Sequence, residues 1–317
     1  MRLLLPFLLV ACDQTRLAES WQLDRPRLLA ARAEVAAPPD PLLGTRAEPQ
    51  PGETVMFSSL RYSPPDTPEL SAMWIGCLTE GDTQTGCEFD ESAFDALEDL
   101  DEDASLDELE AAFQQLNEAG FLGWEPDWPP MWVVPDDALE GAEDRLEGVS
   151  AFVNITLFPQ ADGQDAQPDA DLDTSDLEAG FKRVSVSEAT SPNHNPDIGD
   201  MLVAGTAIGD AKGFTASRGH TYILEPLLRD GHIEEYVYVN SRGEEETRTE
   251  EPYFTWYSEL GATKYRKQAS FSVDYSLYPY SSVEWTAPEV TGQVTIHVVV
   301  RDRRGGMGWR TLLVNVL

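Results

Sequence analysis

Basic residues are scarce in this chain of 317 residues. Aspartate and glutamate number 57 against 22 lysines and arginines, which gives a net charge of −35. Only four of those 22 residues are lysines. Because like charges repel, this balance excludes nucleic acid and an anionic membrane face as partners.

Side chains that commonly carry out catalysis are also few. There are 4 histidines and 3 cysteines, and no two histidines have the spacing of a metal-ligand pair. The chain contains neither a G-x-S-x-G motif nor a glycine-rich phosphate loop. We therefore expect no catalytic residues, no enzymatic activity and no organic cofactor.

No apolar run is long enough to span a bilayer, which takes about 20 residues. The strongest run, residues 3–10, follows Arg2 and precedes Ala11 and Cys12. This is the order of a secretory signal that ends in a lipobox. We predict that residues 1–12 are a lipoprotein signal and that Cys12 carries the lipid. The membrane partner would then be reached through this anchor, outside the cytoplasm, in the bacterial outer membrane or periplasm or at the cell surface. The alternative is an ordinary buried N-terminal segment.

An odd number of cysteines is unusual in an exported protein. If Cys12 is lipidated, Cys77 and Cys87 remain as a pair in an oxidising compartment, and we predict a disulfide between them. In the chain-entropy model, closing so short a loop stabilises the fold by about 3 kcal/mol. The alternative is two free, buried thiols.

Short segments of alternating apolar residues recur along the chain between glycine and proline turns, a pattern typical of β-sandwiches. The fold class we predict is all-β, with two tandem immunoglobulin-like sandwiches. Residues 13–24 would be a polar tether, residues 25–188 the first module and residues 189–317 the second. The first module would carry an acidic insertion with a short α-helix at residues 78–128.

Two segments of the form W-x-x-P, beginning at Trp132 and Trp285, each precede a glycine turn and an alternating strand. Together with Trp256 in its predicted strand and the run VVVRDRRGG at residues 298–306, they resemble bacterial immunoglobulin-like or PKD-like modules. The whole layout is similar to tandem-module surface lipoproteins of myxobacterial type. That resemblance implies a structural or adhesive role through contacts with an unknown protein or glycan. The alternative is a ligand-binding lipoprotein that captures a glycan, a peptide or a solute.

Acidic residues in the insertion have the spacing of an EF-hand calcium loop, although Ala104 stands where that loop needs glycine. The competing interpretation is a capping box formed by Ser105 and Glu108, which would begin a plain acidic helix. The calcium interpretation makes Ca²⁺ a possible stabilising ion. Its ligands would be Asp99, Asp101, Asp103, Ser105, Asp107 and Glu110.

Trp124, Trp128 and Trp132 are spaced by four residues among prolines. If exposed, they could form an aromatic platform for a sugar or a proline-rich peptide. The alternative is structural, with the tryptophans covering an edge of the sandwich.

Overall fold

The computed structural model describes residues 20–65, 67–78, 105–159, 178–239, 242–259 and 268–317. Within these residues the protein is built almost entirely of β-strands, as the sequence predicts. The strands form two sandwiches that follow one another along the chain. One further strand, β1 (Gln22–Leu23), precedes both sandwiches.

The first module consists of two antiparallel sheets. One sheet has the order β2-β3-β6 and the other the order β5-β4-β7-β8. The strands are β2 (Arg27–Val35), β3 (Thr54–Tyr62), β4 (Leu70–Leu78), β5 (Phe121–Glu125), β6 (Met131–Val133), β7 (Val149–Pro159) and β8 (Glu178–Val186).

The second module also has two sheets. Their orders are β10-β9-β12-β18-β16 and β1-β15-β19-β20-β11, with β17 paired to β15, and β13 and β14 form a separate hairpin. The strands are β9 (Ile198–Val203), β10 (Thr206–Ala207), β11 (Gly213–Ala216), β12 (Thr221–Leu228), β13 (Glu235–Val239), β14 (Glu245–Thr249), β15 (Tyr253–Glu259), β16 (Ser270–Phe271), β17 (Tyr275–Leu277), β18 (Val283–Thr286), β19 (Gly292–Arg301) and β20 (Met307–Val316).

The two modules share one strand order. The sheet β2-β3-β6 corresponds to β9-β12-β18, and β4-β7-β8 corresponds to β15-β19-β20. In immunoglobulin nomenclature these are the A-B-E and C-F-G sheets, and a buried tryptophan on strand C is a hallmark of the fold. Trp74 on β4 and Trp256 on β15 occupy that strand, and neither side chain has solvent exposure. The immunoglobulin-like prediction is therefore confirmed.

Each module has its own apolar core between its two sheets. Alternate residues of β19 enter the second core, as the period of two requires for a strand with one buried face. The two W-x-x-P segments take equivalent places, because Trp132 lies on β6 and Trp285 on β18, and both side chains are buried. The internal repeat in the sequence is thus a repeat of core positions.

The helix α1 (Leu106–Glu118) lies between β4 and β5. It begins at the N-cap Ser105, and Ala112 and Leu116 are buried on one face. The predicted insertion ends too late, however, because β5 pairs with β4 and belongs to the sheet. Among the described residues no helix has the length and apolarity needed to cross a bilayer.

The predicted tether is wrong at its C-terminal end. Gln22–Leu23 pairs in parallel with Ser258 and Glu259 of the second module. Trp21 belongs to the second core and meets Phe271 edge-on at 5.9 Å between ring centroids. A strand of two residues is too short to show a period, which is why the sequence reads as polar linker here.

A third apolar cluster joins the modules. It forms between the face of β2 and β3 that points away from the first core and the face of β15, β19 and β20 that points away from the second core. Arg32 of the first module also lies over the ring of Trp309, 4.7 Å from its centroid. The modules therefore pack face against face. The cluster contains Leu23, Leu29, Ala30, Tyr62, Tyr257 and Val299, with Leu60, Met307 and Trp309 at its border.

Candidate functional site

Polar residues meet at one end of the inter-module contact. They come from the loop between β2 and β3, from β8, from the chain between the modules (residues 187–196), from the turn between β19 and β20 (residues 302–306) and from the base of the β13–β14 hairpin. We name this group the seam cluster. Its members are Glu48, Lys182, Asn193, His194, Glu234, Glu250, Asp302 and Arg304.

Arg304 is the central cation of the seam cluster. Its Nη1 donates to Glu234 Oε2 at 3.0 Å and to Glu250 Oε1 at 3.1 Å. Its Nη2 is 3.7 Å from Glu48 Oε2, and its guanidinium lies 4.4 Å from the centroid of the Tyr236 ring. One side chain of the second module thus connects the hairpin base to a carboxylate of the first module.

Asp302 fixes the turn that presents Arg304. Its Oδ1 accepts the backbone N–H groups of Arg304 at 2.7 Å and of Gly305 and Gly306 at 2.9 Å each. Its Oδ2 accepts Asn193 Nδ2 at 2.9 Å, which ties the turn to the inter-module chain. A Cβ at Gly306 would lie 2.0 Å from Asp302 Oδ2, so only glycine fits there.

Burial shifts the ionisation of three groups in the seam cluster. It raises the pKa of Glu250 to about 7, helped by the carboxylates of Asp302 and Glu234 and opposed by Arg304. It also raises the pKa of Asp302, against the hydrogen bond from Asn193. Burial lowers the pKa of Lys182 to about 8 against the attraction of Asp302. The cluster is therefore an ion network in which carboxylates outnumber cations.

The remaining contacts of the seam cluster join the inter-module chain to the first module and to the hairpin base. Glu48 accepts the backbone N–H of Asn193 at 2.8 Å and the hydroxyl of Ser187. His194 Nδ1 lies 2.6 Å from Glu234 Oε1. No grouping of three or more His, Cys, Asp or Glu side chains suited to a metal ion occurs in the described part of the chain. These contacts tie the first module to the inter-module chain and to the turn between β19 and β20.

A pocket of about 330 Å³ opens between the modules. It takes residues from β2 and the loop after it, from the inter-module chain and from the end of the second module near β12. We name it the inter-module pocket. Its lining is Arg32, Glu34, Asp40, Pro41, Gly44, Thr45, Asn195, Pro196, Asp197, Arg229 and His232.

The structure separates the three tryptophans proposed as a binding platform. Trp132 is buried in the first core at 8 % exposure, so the platform prediction is wrong for this residue. Trp124 stacks on Phe158 with centroids 5.4 Å apart, and the backbones of Trp124 and Trp128 pair as a bridge. Both of these tryptophans are partly exposed. A binding role for Trp124 and Trp128 stays a prediction.

The capping box, predicted as the alternative to the calcium loop, is present. Glu108 N donates to Ser105 Oγ at 3.3 Å, and Ser105 N donates to Glu108 Oε2 at 2.8 Å. Ser105 therefore serves as a helix cap. The proposed ligands Asp99, Asp101 and Asp103 lie outside the described residues, and Asp107 and Glu110 lie in the first turns of α1. Calcium binding stays a prediction.

The cysteines are only partly described. Cys12 and Cys87 lie outside the described residues. Cys77 lies on β4 and is disulfide-bonded. Its pairing with Cys87 and the lipidation of Cys12 stay predictions.

No protein-family model matches the chain, and no curated protein matches it. The solved structures give low similarity. A nucleoside hydrolase-related hypothetical protein from Saccharophagus degradans, associated with carbohydrate metabolism, is 20 % identical with a TM-score of 0.28, over 41 % of this chain and 28 % of that one. The D00–D0 domain of intimin is 8 % identical with a TM-score of 0.23, over 91 % of this chain and 100 % of that one. The two tandem V-type regions of VCBP3, a chitin-binding protein, are 11 % identical with a TM-score of 0.29, over 90 % and 99 %.

Sequence reasoning missed the seam cluster and the inter-module pocket. Their residues come from positions as distant as 32 and 304, so no local spacing connects them. One signal was available, because Asp302 and Arg304 stand between two strongly apolar strands in a turn that ends in Gly305 and Gly306. A charged turn of that kind predicts a tight loop, but it does not identify what the loop contacts.

Proposed function

We propose that the protein is a lipid-anchored, extracytoplasmic structural or adhesion protein without catalytic activity. The observation that carries this proposal is the contact between the modules. A shared apolar cluster and a buried ion network hold two immunoglobulin-like sandwiches face against face. A unit of this kind presents its outer surfaces in a fixed geometry, which suits adhesion or scaffolding.

Exposed aromatic side chains on the second module support a contact role. Tyr275, Tyr278 and Tyr280 have exposures of 59 %, 44 % and 86 %, and Leu277 beside them is also exposed. Exposed apolar groups that lie together mark interaction sites, and tyrosine is enriched at protein interfaces. These residues lie on and directly after β17, which pairs only with β15 among the described strands.

The anchor is tested by expressing the full chain in a bacterium that processes lipoproteins and supplying labelled palmitate. Wild type should take up label and sediment with membranes, and Cys12→Ala should lose both properties. Cys87→Ala is the matched cysteine control and should keep both. A Cys12→Ala protein that stays with membranes as firmly as wild type would contradict the anchor.

Adhesion is tested with beads that carry the full chain, allowed to settle on bacterial cells and on one another. A Tyr275→Ser/Tyr280→Ser double variant should reduce bead attachment. Tyr238→Ser, on the β13–β14 hairpin, is a control at an exposed tyrosine of another surface. Equal attachment of all three proteins would show that this tyrosine surface does not mediate adhesion.

A further inference from the structure

The inter-module pocket has a buried histidine at its wall. His232 is only 5 % exposed. Its Nδ1 edge faces the inter-module chain, with Asp197 N at 3.2 Å and the carbonyl oxygen of Asn195 at 3.3 Å. The Cε1 corner of the ring, between Nδ1 and Nε2, faces Gly44, another wall residue, where a Cβ would come within 3.0 Å of Cε1 and 3.8 Å of Nε2. Glycine at that position keeps this corner of the histidine uncovered.

The hydrogen bond at Nδ1 decides which nitrogen of His232 carries the proton. A backbone N–H can only donate, so Nδ1 accepts from Asp197. The reverse arrangement would leave that N–H unpaired, and unpaired buried N–H groups are rarer than under-used carbonyls. The neutral ring therefore carries its proton on Nε2. Among the described residues Nε2 makes no hydrogen bond, so the pocket wall offers an unused N–H donor there, besides the buried Nε of Arg32.

Each charged residue of the pocket, three carboxylates and two arginines, already has a partner within the protein. Arg32 pairs with Glu34 at 3.2 Å, and Arg229 pairs with Asp197 at 2.8 Å. Asp40 accepts the backbone N–H groups of Leu42 and Leu43. The one carboxylate in excess repels an anion, and a cation would lose its hydration to reach carboxylates that already bind Arg32, Arg229 or backbone N–H groups, which is costly. Hydroxyl groups, in contrast, can donate to spare carboxylate lone pairs and accept from N–H groups.

Size and lining restrict the ligand further. A volume of about 330 Å³ is at the lower end for small-molecule sites, which begin at about 300 Å³. Apart from Gly44, Pro41 and Pro196, every wall residue has a polar side chain. An apolar ligand would therefore leave polar groups unpaired. The pocket therefore fits one small ring that carries several hydroxyl groups.

We propose that the inter-module pocket binds a neutral, polyhydroxylated molecule of monosaccharide size and that His232 Nε2 donates a hydrogen bond to one of its hydroxyls. Both modules contribute to the wall, so the ligand contacts both. This site is independent of the lipid anchor and of the tyrosine surface, and its failure would leave the proposed structural role intact.

The test uses the full chain with Cys12→Ala, for solubility, as the reference protein. Saturation-transfer NMR and isothermal titration are run with D-glucose, D-galactose, N-acetyl-D-glucosamine and myo-inositol as probes. Sodium acetate and ethylammonium chloride are the charged comparisons. At least one neutral probe should bind saturably and raise the melting temperature, whereas the charged probes should not.

Two variants locate the binding. His232→Phe keeps the ring but removes the donor, and it should weaken binding about tenfold. Arg229→Gln changes an exposed arginine at the rim and should also weaken binding, which keeps the test valid if His232→Phe does not fold. Arg248→Gln is the matched control, because Arg248 is likewise exposed and paired with an acid, Glu246, on the distant hairpin.

Three outcomes would overturn the proposal. The first is that no neutral probe binds at any soluble concentration. The second is that acetate or ethylammonium binds in preference to the neutral probes. The third is that His232→Phe and Arg229→Gln both bind the probe as tightly as Arg248→Gln does.

Discussion

Arg304 Nη2 of the second module lies 3.7 Å from Glu48 Oε2 of the first. The same guanidinium binds Glu234 and Glu250, and all four side chains are at least four-fifths buried. Removing such a cation is strongly destabilising, because several buried carboxylates then lose their compensating charge. The stability of the inter-module contact should therefore depend strongly on this single arginine.

Arg304→Met should lower the free energy of unfolding by about 3–5 kcal/mol, the usual cost of breaking a buried ion pair from one side. Urea unfolding followed by tryptophan fluorescence measures it. Arg303→Met is the neighbouring control, since Arg303 and its partner Glu251 are both largely exposed. That variant should stay within about 0.5 kcal/mol of wild type. Equal losses in the two variants would contradict a special role for Arg304.

Glu250 should make stability fall as pH rises. Its folded pKa of about 7 exceeds the ordinary value of 4.5, so the folded state holds the proton more tightly. The stabilisation is fully present below pH 4.5 and is lost as pH rises through 7. Glu250→Gln imitates the protonated carboxyl and should remove this slope, with a relative gain of roughly 1–3 kcal/mol at pH 8. Chemical unfolding of both proteins between pH 4 and 8 measures the gap, and a constant gap would refute the assignment.

His297 should have the opposite effect to Glu250 and make stability fall as pH falls. Burial lowers its pKa from 6.5 to about 4, and its Nδ1 lies 2.9 Å from Thr311 Oγ1. The unfolded chain therefore takes up the proton first, and stability is lost as pH falls from 6.5 to 4. His297→Gln should flatten this acid limb in a melting-temperature profile. His220→Gln, at an exposed position, should leave the limb as it is.

Ser105→Ala should loosen the start of α1 by about 1 kcal/mol, because it removes the hydroxyl of the capping box. Ser105→Asp keeps a side-chain acceptor at the N-cap and should retain most of the protection. Hydrogen exchange of the α1 amides measures both variants. Unchanged exchange in Ser105→Ala would show that tertiary packing of Ala112 and Leu116 is enough to fix this end of the helix.

The calcium prediction has a separate test. If Asp99, Asp101 and Asp103 bind Ca²⁺, millimolar calcium should raise the melting temperature, because binding to the folded state alone stabilises it. Asp101→Asn/Asp103→Asn should abolish the rise, while magnesium at the same concentration should give little effect. An unchanged melting temperature of wild type in calcium would leave only the capped helix.

The parts of the fold that rest on local pattern could be predicted from the sequence. Alternation along β7 and β19 and the tryptophans of β15 and β18 are sufficient to indicate immunoglobulin-like sandwiches, because a strand with one buried face must alternate. The predicted insertion at residues 78–128 includes β5. The sheet nevertheless includes it, because pairing with β4 satisfies its backbone.

What could not be predicted depends on contacts between distant segments. The outer face of β3 carries Leu60 and Tyr62, which the sequence alone does not distinguish from ordinary exposed apolar residues. Only the packing of one module on the other explains their burial. Lys182 is similar, because a lysine on the last strand of the first module reads as solvent-facing, yet it donates to the carbonyl of Gly305. The candidate site is therefore a property of the assembled pair.

The two-residue strand β1 has a mechanical consequence for a protein tethered at its N-terminus. Only seven residues lie between the lipid-bearing position proposed at Cys12 and Ser20, and the eight steps along the chain reach about 30 Å at full extension. The second module would then stand nearest the membrane although it comes later in the chain. Any tension on the tether would act first on Gln22 and Leu23. Pulling them away from β15 would draw Trp21 out of the second core, so unfolding under tension would begin beside the membrane.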